Sequence, residues 1–280
     1  MILGFIGTGN MGGALAKAAH CKLDGEQILL ANRTPEKAQR LAEKLDAKVT
    51  DNAAVAEQAN YIFLGVKPHM MEDLLTEIGP ILAKRKHLED MQDMANPMEQ
   101  HSRFVLVSMA AGLSIARIQE LAGTSYPVIR IMPNTPAAIG MGMNFYTCGP
   151  GVTGREEKLF LEAMSGAGRF ASIPETQMDA ASAVAGCGPA FVDLFLEAMA
   201  DGGVACGLPR AQAIEFAAQM MVGSAMLLLQ TGQHPGALKD AVCSPGGSTI
   251  QGVRALEEHG FRAAVINAVI AAYEKNRALG

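Results

Sequence analysis

Short apolar runs alternate with helix-period segments over the first part of the chain. Ile2, Leu3, Phe5 and Ile6 form a run that reads as a buried strand, and residues 13–19 read as the helix after it. Gln27-Ile28-Leu29-Leu30-Ala31 is a second strand and residues 35–45 a second helix. Residues 49–64 hold a short strand, a small helix and the start of a third apolar run, Tyr61-Ile62-Phe63-Leu64-Gly65-Val66. An amphipathic helix is predicted over 70–82, then strands over 104–108, 128–132 and 140–146, a helix over 155–164 and a last strand over 170–174. Residues 84–103 break the pattern with dense charge among Met91, Met94, Pro97 and Met98, and read as a surface excursion, part helix and part loop. This alternation is that of an α/β doubly wound parallel sheet.

From Gln177 onward the pattern is helical throughout, which divides the chain into residues 1–174 and an all-helical part, 175–280. Residues 178–206 read as one long apolar helix interrupted at Gly186-Cys187-Gly188-Pro189, where proline should kink it. Gly207 stops that helix and Pro209 starts the next. Residues 211–229 are apolar on nearly every face, which predicts burial on all sides. One chain of this size can hardly cover two such helices. The expected cover is a second copy, so a homodimer through the helical part is predicted.

The chemistry starts in the first turn. Gly7-Thr8-Gly9-Asn10-Met11-Gly12 lies between a strand and a helix, the context in which G-x-G-x-x-G signals a dinucleotide site. The first glycine serves the tight turn, the second lets backbone approach a pyrophosphate, and the third lets helix pack on strand. Amides at the helix N-terminus then face the phosphate charge. At the end of the second strand an NAD-selective site carries a carboxylate for the ribose 2′-hydroxyl. Here Asn32-Arg33-Thr34 stands in that place, which suits a 2′-phosphate and hence NADP; the other reading of Arg33 is a solvated charge ahead of a helix. Val66, Lys67 and Pro68 end the third run where cofactor walls are built, although Lys67 alone reads as a surface charge. Met109-Ala110-Ala111-Gly112 is small enough for a nicotinamide ring to lie close to the backbone.

A second informative stretch is Ser244-Pro245-Gly246-Gly247-Ser248-Thr249. Ser248 and Gln251 have the spacing of a capping box, and the glycines before them expose amides around a helix N-terminus. A carboxylate cradle and a plain capped helix fit this spacing equally well. The Thr249 hydroxyl can also project from the first turn toward a ligand.

Composition narrows the classes. A net charge of −5 argues against nucleic acid or an anionic membrane as the main partner. Cys21, Cys148, Cys187, Cys206 and Cys243 are widely spaced without a C-x-x-C, which favours a reducing, cytoplasmic setting. The chain starts inside its first strand, so no signal peptide is expected. Residues 216–238 hold Gln219, Ser224, Gln230 and Gly232 and read as a poor membrane span. The six histidines show no metal-ligand spacing; His234-Pro235 reads as a helix start.

The chain resembles the pyrroline-5-carboxylate reductase family. The run from Asp240 through Ser244-Pro245-Gly246-Gly247-Ser248-Thr249 to Gly252 is similar to that family's most specific motif. Further matches are Phe5-Ile6-Gly7-Thr8-Gly9-Asn10-Met11, Val66-Lys67-Pro68, Ala110-Ala111-Gly112, Arg130-Ile131-Met132-Pro133-Asn134-Thr135-Pro136 and Ala200-Asp201-Gly202-Gly203-Val204, in the family's order. The resemblance implies a Rossmann domain followed by a helical dimerisation domain that interleaves with its partner, with dimers often assembling into rings. It implies that Gly7, Thr8, Gly9, Asn10, Met11, Asn32, Arg33, Asn52, Val66, Lys67, Pro68, Ala110, Ala111 and Gly112 hold NADPH, with NADH left open. It implies substrate on Ser244, Gly247, Ser248 and Thr249, with Thr249 near the ring nitrogen, and an acidic contact from Glu175. Three departures stand out: Ala185-Gly186-Cys187-Gly188-Pro189 where the family has S-G-S-G-P, the long 84–103 segment, and Ala241 where some members are polar.

The expected reaction is reduction of 1-pyrroline-5-carboxylate to L-proline, the last step of proline biosynthesis. Two rivals bear on it. A β-hydroxyacid dehydrogenase wants a lysine in the first long helix of the second domain, and residues 178–206 contain none. A non-catalytic NADP-binding regulator has no need of the 244–249 loop.

Overall fold

The apolar runs become the strands of one sheet in a computed structural model that describes residues 1–95 and 103–278. The strands are β1 (Leu3–Ile6), β2 (Ile28–Ala31), β3 (Lys48–Val49), β4 (Tyr61–Leu64), β5 (Val105–Ser108), β6 (Val128–Met132), β7 (Gly142–Cys148) and β8 (Gly168–Ser172). Their order is β3-β2-β1-β4-β5-β6-β7-β8. The first six are parallel, in the Rossmann order, so the chain reverses its direction of travel across the sheet between β1 and β4. The sheet is the expected doubly wound parallel one, with an edge pair turned round: β7 runs antiparallel to β6, and β8 parallel to β7. Residues 133–141 are too short a link for a parallel crossover, which takes a dozen residues or more.

Around the sheet lie α1 (Asn10–His20), α2 (Pro35–Leu45), α3 (Asn52–Gln58), α4 (Met71–Ala95), α5 (Ile115–Leu121), α6 (Gly154–Met164) and the short α7 (Met178–Ala181). Period-two alternation sorts each strand between two cores. Leu3, Phe5, Ile28, Leu30, Tyr61 and Phe63 pack on one face, and Ile6, Leu29, Ala31, Ile62 and Leu64 on the other. Phe5 and Phe63 stack with centroids 4.3 Å apart at the centre of the first face. Each such fully buried side chain stabilises the fold by about 1.5–3 kcal/mol.

α4 runs past the predicted end at 82 and continues to Ala95, which makes the helical part of 84–103 one with it. Its charges are helix-spaced partners: Arg85–Glu89 at 3.5 Å and Lys86–Asp90 at 2.7 Å are both i,i+4 pairs. Arg85 also donates to the Ala56 and Ala59 carbonyls at the end of α3 and lies over the Phe104 ring. The rest of that segment, 96–102, lies outside the described residues.

The chain divides into two units, Met1–Gly186 with the chain from Tyr273 onward, and Cys187–Ala272. Just before the division the helix after α7 widens into a π-turn, Ser182–Gly186. Here the expected proline kink has a local cause and a local remedy. Pro189 has no N–H to offer the Ala185 carbonyl one turn back, and Asn134 Nδ2 donates to that carbonyl instead, at 3.0 Å. Asn134 Oδ1 in turn accepts from the Met143 amide.

The second unit holds α8 (Gly188–Ala205), α9 (Arg210–Thr231), α10 (Pro235–Ala241), α11 (Ser248–Glu258) and α12 (Phe261–Arg277), whose last turns belong to the first unit. Within one chain α8 buries only Ala200, and α9 only Ala213 and Ala217. Leu194 is 67 % exposed, Phe216 54 % and Leu229 68 %. The all-round burial expected of 211–229 is therefore not supplied by the chain itself. By length and composition alone, Glu175–Ala205 and Arg210–Thr231 are long and apolar enough to cross a membrane, so the polar residues of 216–238 do not by themselves exclude a span.

Candidate functional site

In the first unit the candidate residues follow the carboxyl ends of parallel strands. Gly7, Thr8, Gly9, Asn10 and Met11 follow β1; Asn32 and Arg33 follow β2; Asn52 follows β3; Val66, Lys67 and Pro68 follow β4; Ala110, Ala111 and Gly112 follow β5. Ligands of open α/β sheets bind outside that edge, where strand order reverses. β1 and β4 are the neighbours at the reversal.

The three motif glycines separate by what surrounds them. Gly7 sits at φ +99°, and a Cβ there would collide with the Gly65 carbonyl; a Cβ at Gly12 would collide with the Gly7 carbonyl. These two are required by the protein's own packing. A Cβ at Gly9 meets nothing within 4 Å, so open space lies in front of it. Gly9 is also the N-cap of α1, which has no side-chain cap bond and no acidic residue in its first turn. Its first amides are left free for an outside acceptor. Beside them the Thr8 hydroxyl is 93 % buried as a residue and has no hydrogen-bond partner among the described residues. An uncapped helix end, open space and an orphaned hydroxyl together fit a diphosphate.

Asn32 is held from both sides: its Oδ1 accepts from the Thr8 amide at 3.0 Å and its Nδ2 donates to the Thr34 carbonyl at 2.9 Å. It couples the glycine turn to the end of β2. Arg33 beside it is exposed. Asn52 donates to the Glu77 carboxylate at 3.0 and 3.2 Å, so its amide is already engaged. Lys67 is exposed and Ala110 buried, and Gly112 takes φ +79°.

The candidate substrate residues Ser244, Gly247, Ser248 and Thr249 lie together in the second unit. Gly246 takes φ +71° and Gly247 donates its N–H to the Ser244 carbonyl at 3.0 Å, which closes a turn. The capping box expected of Ser248 and Gln251 is not formed. Gly247 is the N-cap, in extended conformation and with no side-chain cap bond, and Ser248 is already the first helical residue of α11. The left-handed Gly246 lets the turn finish one residue early, so the helix starts on glycine and the Ser248 hydroxyl is not used as a cap. The first amides of α11, like those of α1, keep no side-chain acceptor.

Glu175 lies in the first unit, apart in sequence and in unit from the other substrate candidates. Its Oε1 accepts from the Ile115 amide at 2.8 Å and from Arg130 Nη1 at 3.0 Å. Arg130, 5 % exposed in β6, also faces Asp179 with Nη2 3.9 Å from its carboxylate. Arg130, Asn134 and Asp179 carry no assignment from spacing alone. The signal for Arg130 was a charge in the middle of the apolar strand V-I-R-I-M, since a buried arginine demands a partner. Among the described residues no cluster of metal-ligating side chains occurs, and all five cysteines are free.

Comparison with known proteins places this geometry. Residues 175–279 match the family model described as pyrroline-5-carboxylate reductase dimerisation, and residues 2–91 that of NADP oxidoreductase, coenzyme F420-dependent. The dimerisation match accounts for the uncovered helices: the chain is homo-oligomeric. The pyrroline-5-carboxylate reductase of Escherichia coli (strain K12) is 41 % identical over 99 % of this chain and 97 % of its own. That of Pisum sativum is 36 % identical over 99 % of this chain and 95 % of its own. A crystal structure of Plasmodium falciparum pyrroline carboxylate reductase with NADP bound superposes with a TM-score of 0.86 at 31 % identity, covering 100 % of this chain and 98 % of that one. On sequence and structure alike, the chain belongs to the pyrroline-5-carboxylate reductase family.

Proposed function

We propose that the chain reduces 1-pyrroline-5-carboxylate to L-proline with NADPH, as the final step of proline biosynthesis. The observation that carries this reading is a pair of eleven-residue helices, α1 and α11, each N-capped by a glycine without a side-chain cap. Such ends receive anions. The diphosphate of NADPH belongs to the α1 end, with Gly7, Thr8, Gly9, Asn10 and Met11. Arg33 and Asn32 take the 2′-phosphate side, and Asn52, Val66, Lys67 and Pro68 with Ala110, Ala111 and Gly112 complete the wall. The substrate carboxylate belongs to the α11 end, on the amides of Gly247 and Ser248 with the Ser244 hydroxyl beside them.

Bound NADPH supplies a hydride, and the protein supplies orientation and electrostatics. A cyclic imine that arrives protonated is already electrophilic and brings the proton its nitrogen keeps, so no strong acid is needed from the chain. The Thr249 hydroxyl hydrogen-bonds the ring nitrogen as it gains electron density. Fixing the carboxylate on rigid amides restricts the ring to one pose, the kind of positioning that lowers a barrier by removing freedom beforehand. Dimers stack into a larger ring, and the free thiols fit a reducing cytoplasm.

The test is direct: mixed with NADPH and pyrroline-5-carboxylate, the protein should consume NADPH, read at the nicotinamide absorbance band. Thr249→Ala should lower kcat by about 10- to 100-fold while leaving the Kd for NADPH unchanged. A variant as active as the parent removes Thr249 from the mechanism. A parent inactive on this imine removes the reaction.

A further inference from the structure

We infer that Glu175 is a positioning residue for the cofactor wall at Ala110, Ala111 and Gly112, acting through the Ile115 amide and clamped by Arg130; this rests on the reading that those residues face NADPH.

The loop between β5 and α5 holds Ala110, Ala111 and Gly112 between Met109 and Leu113, which pack on the two cores of the sheet. Hydrogen bonds pin its two ends as well. At the first, the Ala110 amide donates to Ser108 Oγ at 3.3 Å. At the second, Ile115 opens α5, and its N–H is one of the four that a helix start leaves without an internal acceptor. The Ser114 hydroxyl takes the Arg117 amide, at 3.1 Å, and Glu175 Oε1 takes the Ile115 amide, at 2.8 Å. Glu175 is sixty residues further along the chain, so this second pin is tertiary and not part of the helix's own cap.

The same oxygen accepts from Arg130 Nη1, and Arg130 is 5 % exposed. The Glu175 side chain is 29 % exposed, and a half-buried ion pair of this kind adds little net stability. Its use here is geometric. The guanidinium, fixed in the sheet by β6, holds one carboxylate oxygen at the point where it meets the Ile115 N–H. The sheet thereby sets the far end of the loop, and so the depth of the wall between the pins. This assigns Glu175 a role different from the direct substrate contact that family resemblance implies.

Three variants separate these roles, with Kd for NADPH read from the cofactor's own fluorescence, excited in its nicotinamide band. Glu175→Gln keeps an oxygen for both donors and should bind NADPH within about twofold of the parent. Glu175→Ala removes the acceptor and should raise the Kd about tenfold with little change in KM for the imine. Glu175→Asp keeps the charge beside Arg130, and with it the fold, but draws the acceptor back by one methylene; it should raise the Kd several-fold and melt near the parent. A direct substrate contact predicts the reverse: Gln, Ala and Asp would all raise KM for the imine and leave the Kd for NADPH alone. That outcome, or a folded Glu175→Asp and Glu175→Ala binding NADPH like the parent, overturns the inference. Gly9→Asp tests the underlying reading separately. It should abolish NADPH binding, and if it does not, the cofactor site itself has been misplaced.

Discussion

Single residues in the first unit are understood by what they would touch if changed. Cys148 in β7 is half-buried, and burial first, then the Glu157 and Glu156 charges, push its thiol up to about 11. The folded chain thus favours the neutral thiol. The stability this contributes is present below the ordinary thiol value of 9.0 and is lost as pH rises toward about 11. At neutral pH Cys148 should resist iodoacetamide while the exposed Cys21 reacts, as peptide mass mapping can show. Labelling of Cys148 first would contradict its assigned environment. The turn at Gly7 and the close approach of Gly12 to it were legible in the sequence because both lie within six residues of one motif. Arg130, Glu175 and Asn134 entered only through family resemblance and not through their contacts, because their partners lie 45 to 60 residues away and no local spacing encodes them.

At the scale of elements, the junction of the π-turn with α8 shows one defect answered by one side chain. Asn134→Ala should destabilise the fold by about 1–3 kcal/mol, since it leaves the Ala185 carbonyl and the Met143 amide without their partner. In a Pro189→Ala background the loss should shrink, because a backbone N–H is restored one turn after that carbonyl. A double-mutant cycle in denaturant measures this coupling; strict additivity would mean that proline is not the cause. Many elements were readable from period and punctuation. β6 and α2 fall on the predicted residues, with Pro35 opening α2. The misses have physical reasons. Strand direction is not written in alternation, so the antiparallel turn of β7 was invisible. The dense charge of α4 hid how far the helix runs, although Arg85–Glu89 and Lys86–Asp90 are i,i+4 partners, and glycine took the cap position from Ser248 because the left-handed turn before it ended early.

For the whole molecule, the apolar faces of α8 and α9 are the largest unsolved demand of the single chain. Leu194→Glu or Phe216→Glu should shift the oligomer toward monomer and lower its melting temperature, read by sedimentation and by thermal unfolding. An unchanged assembly in both would move the subunit interface elsewhere. The order of the chain through its two units has a further result. The chain enters the second unit after Gly186 and is back in the first from Tyr273, where Asn276 Nδ2 donates to the Asp179 carbonyl at 3.2 Å. During synthesis the ribosome therefore delivers the whole sheet early but the last stitch of the same unit only after the second unit has been made. At about 5–20 residues per second, the nascent nucleotide-binding half waits several seconds for its own closing tie, a window in which the sticky helices between must find one another without a finished neighbour to lean on.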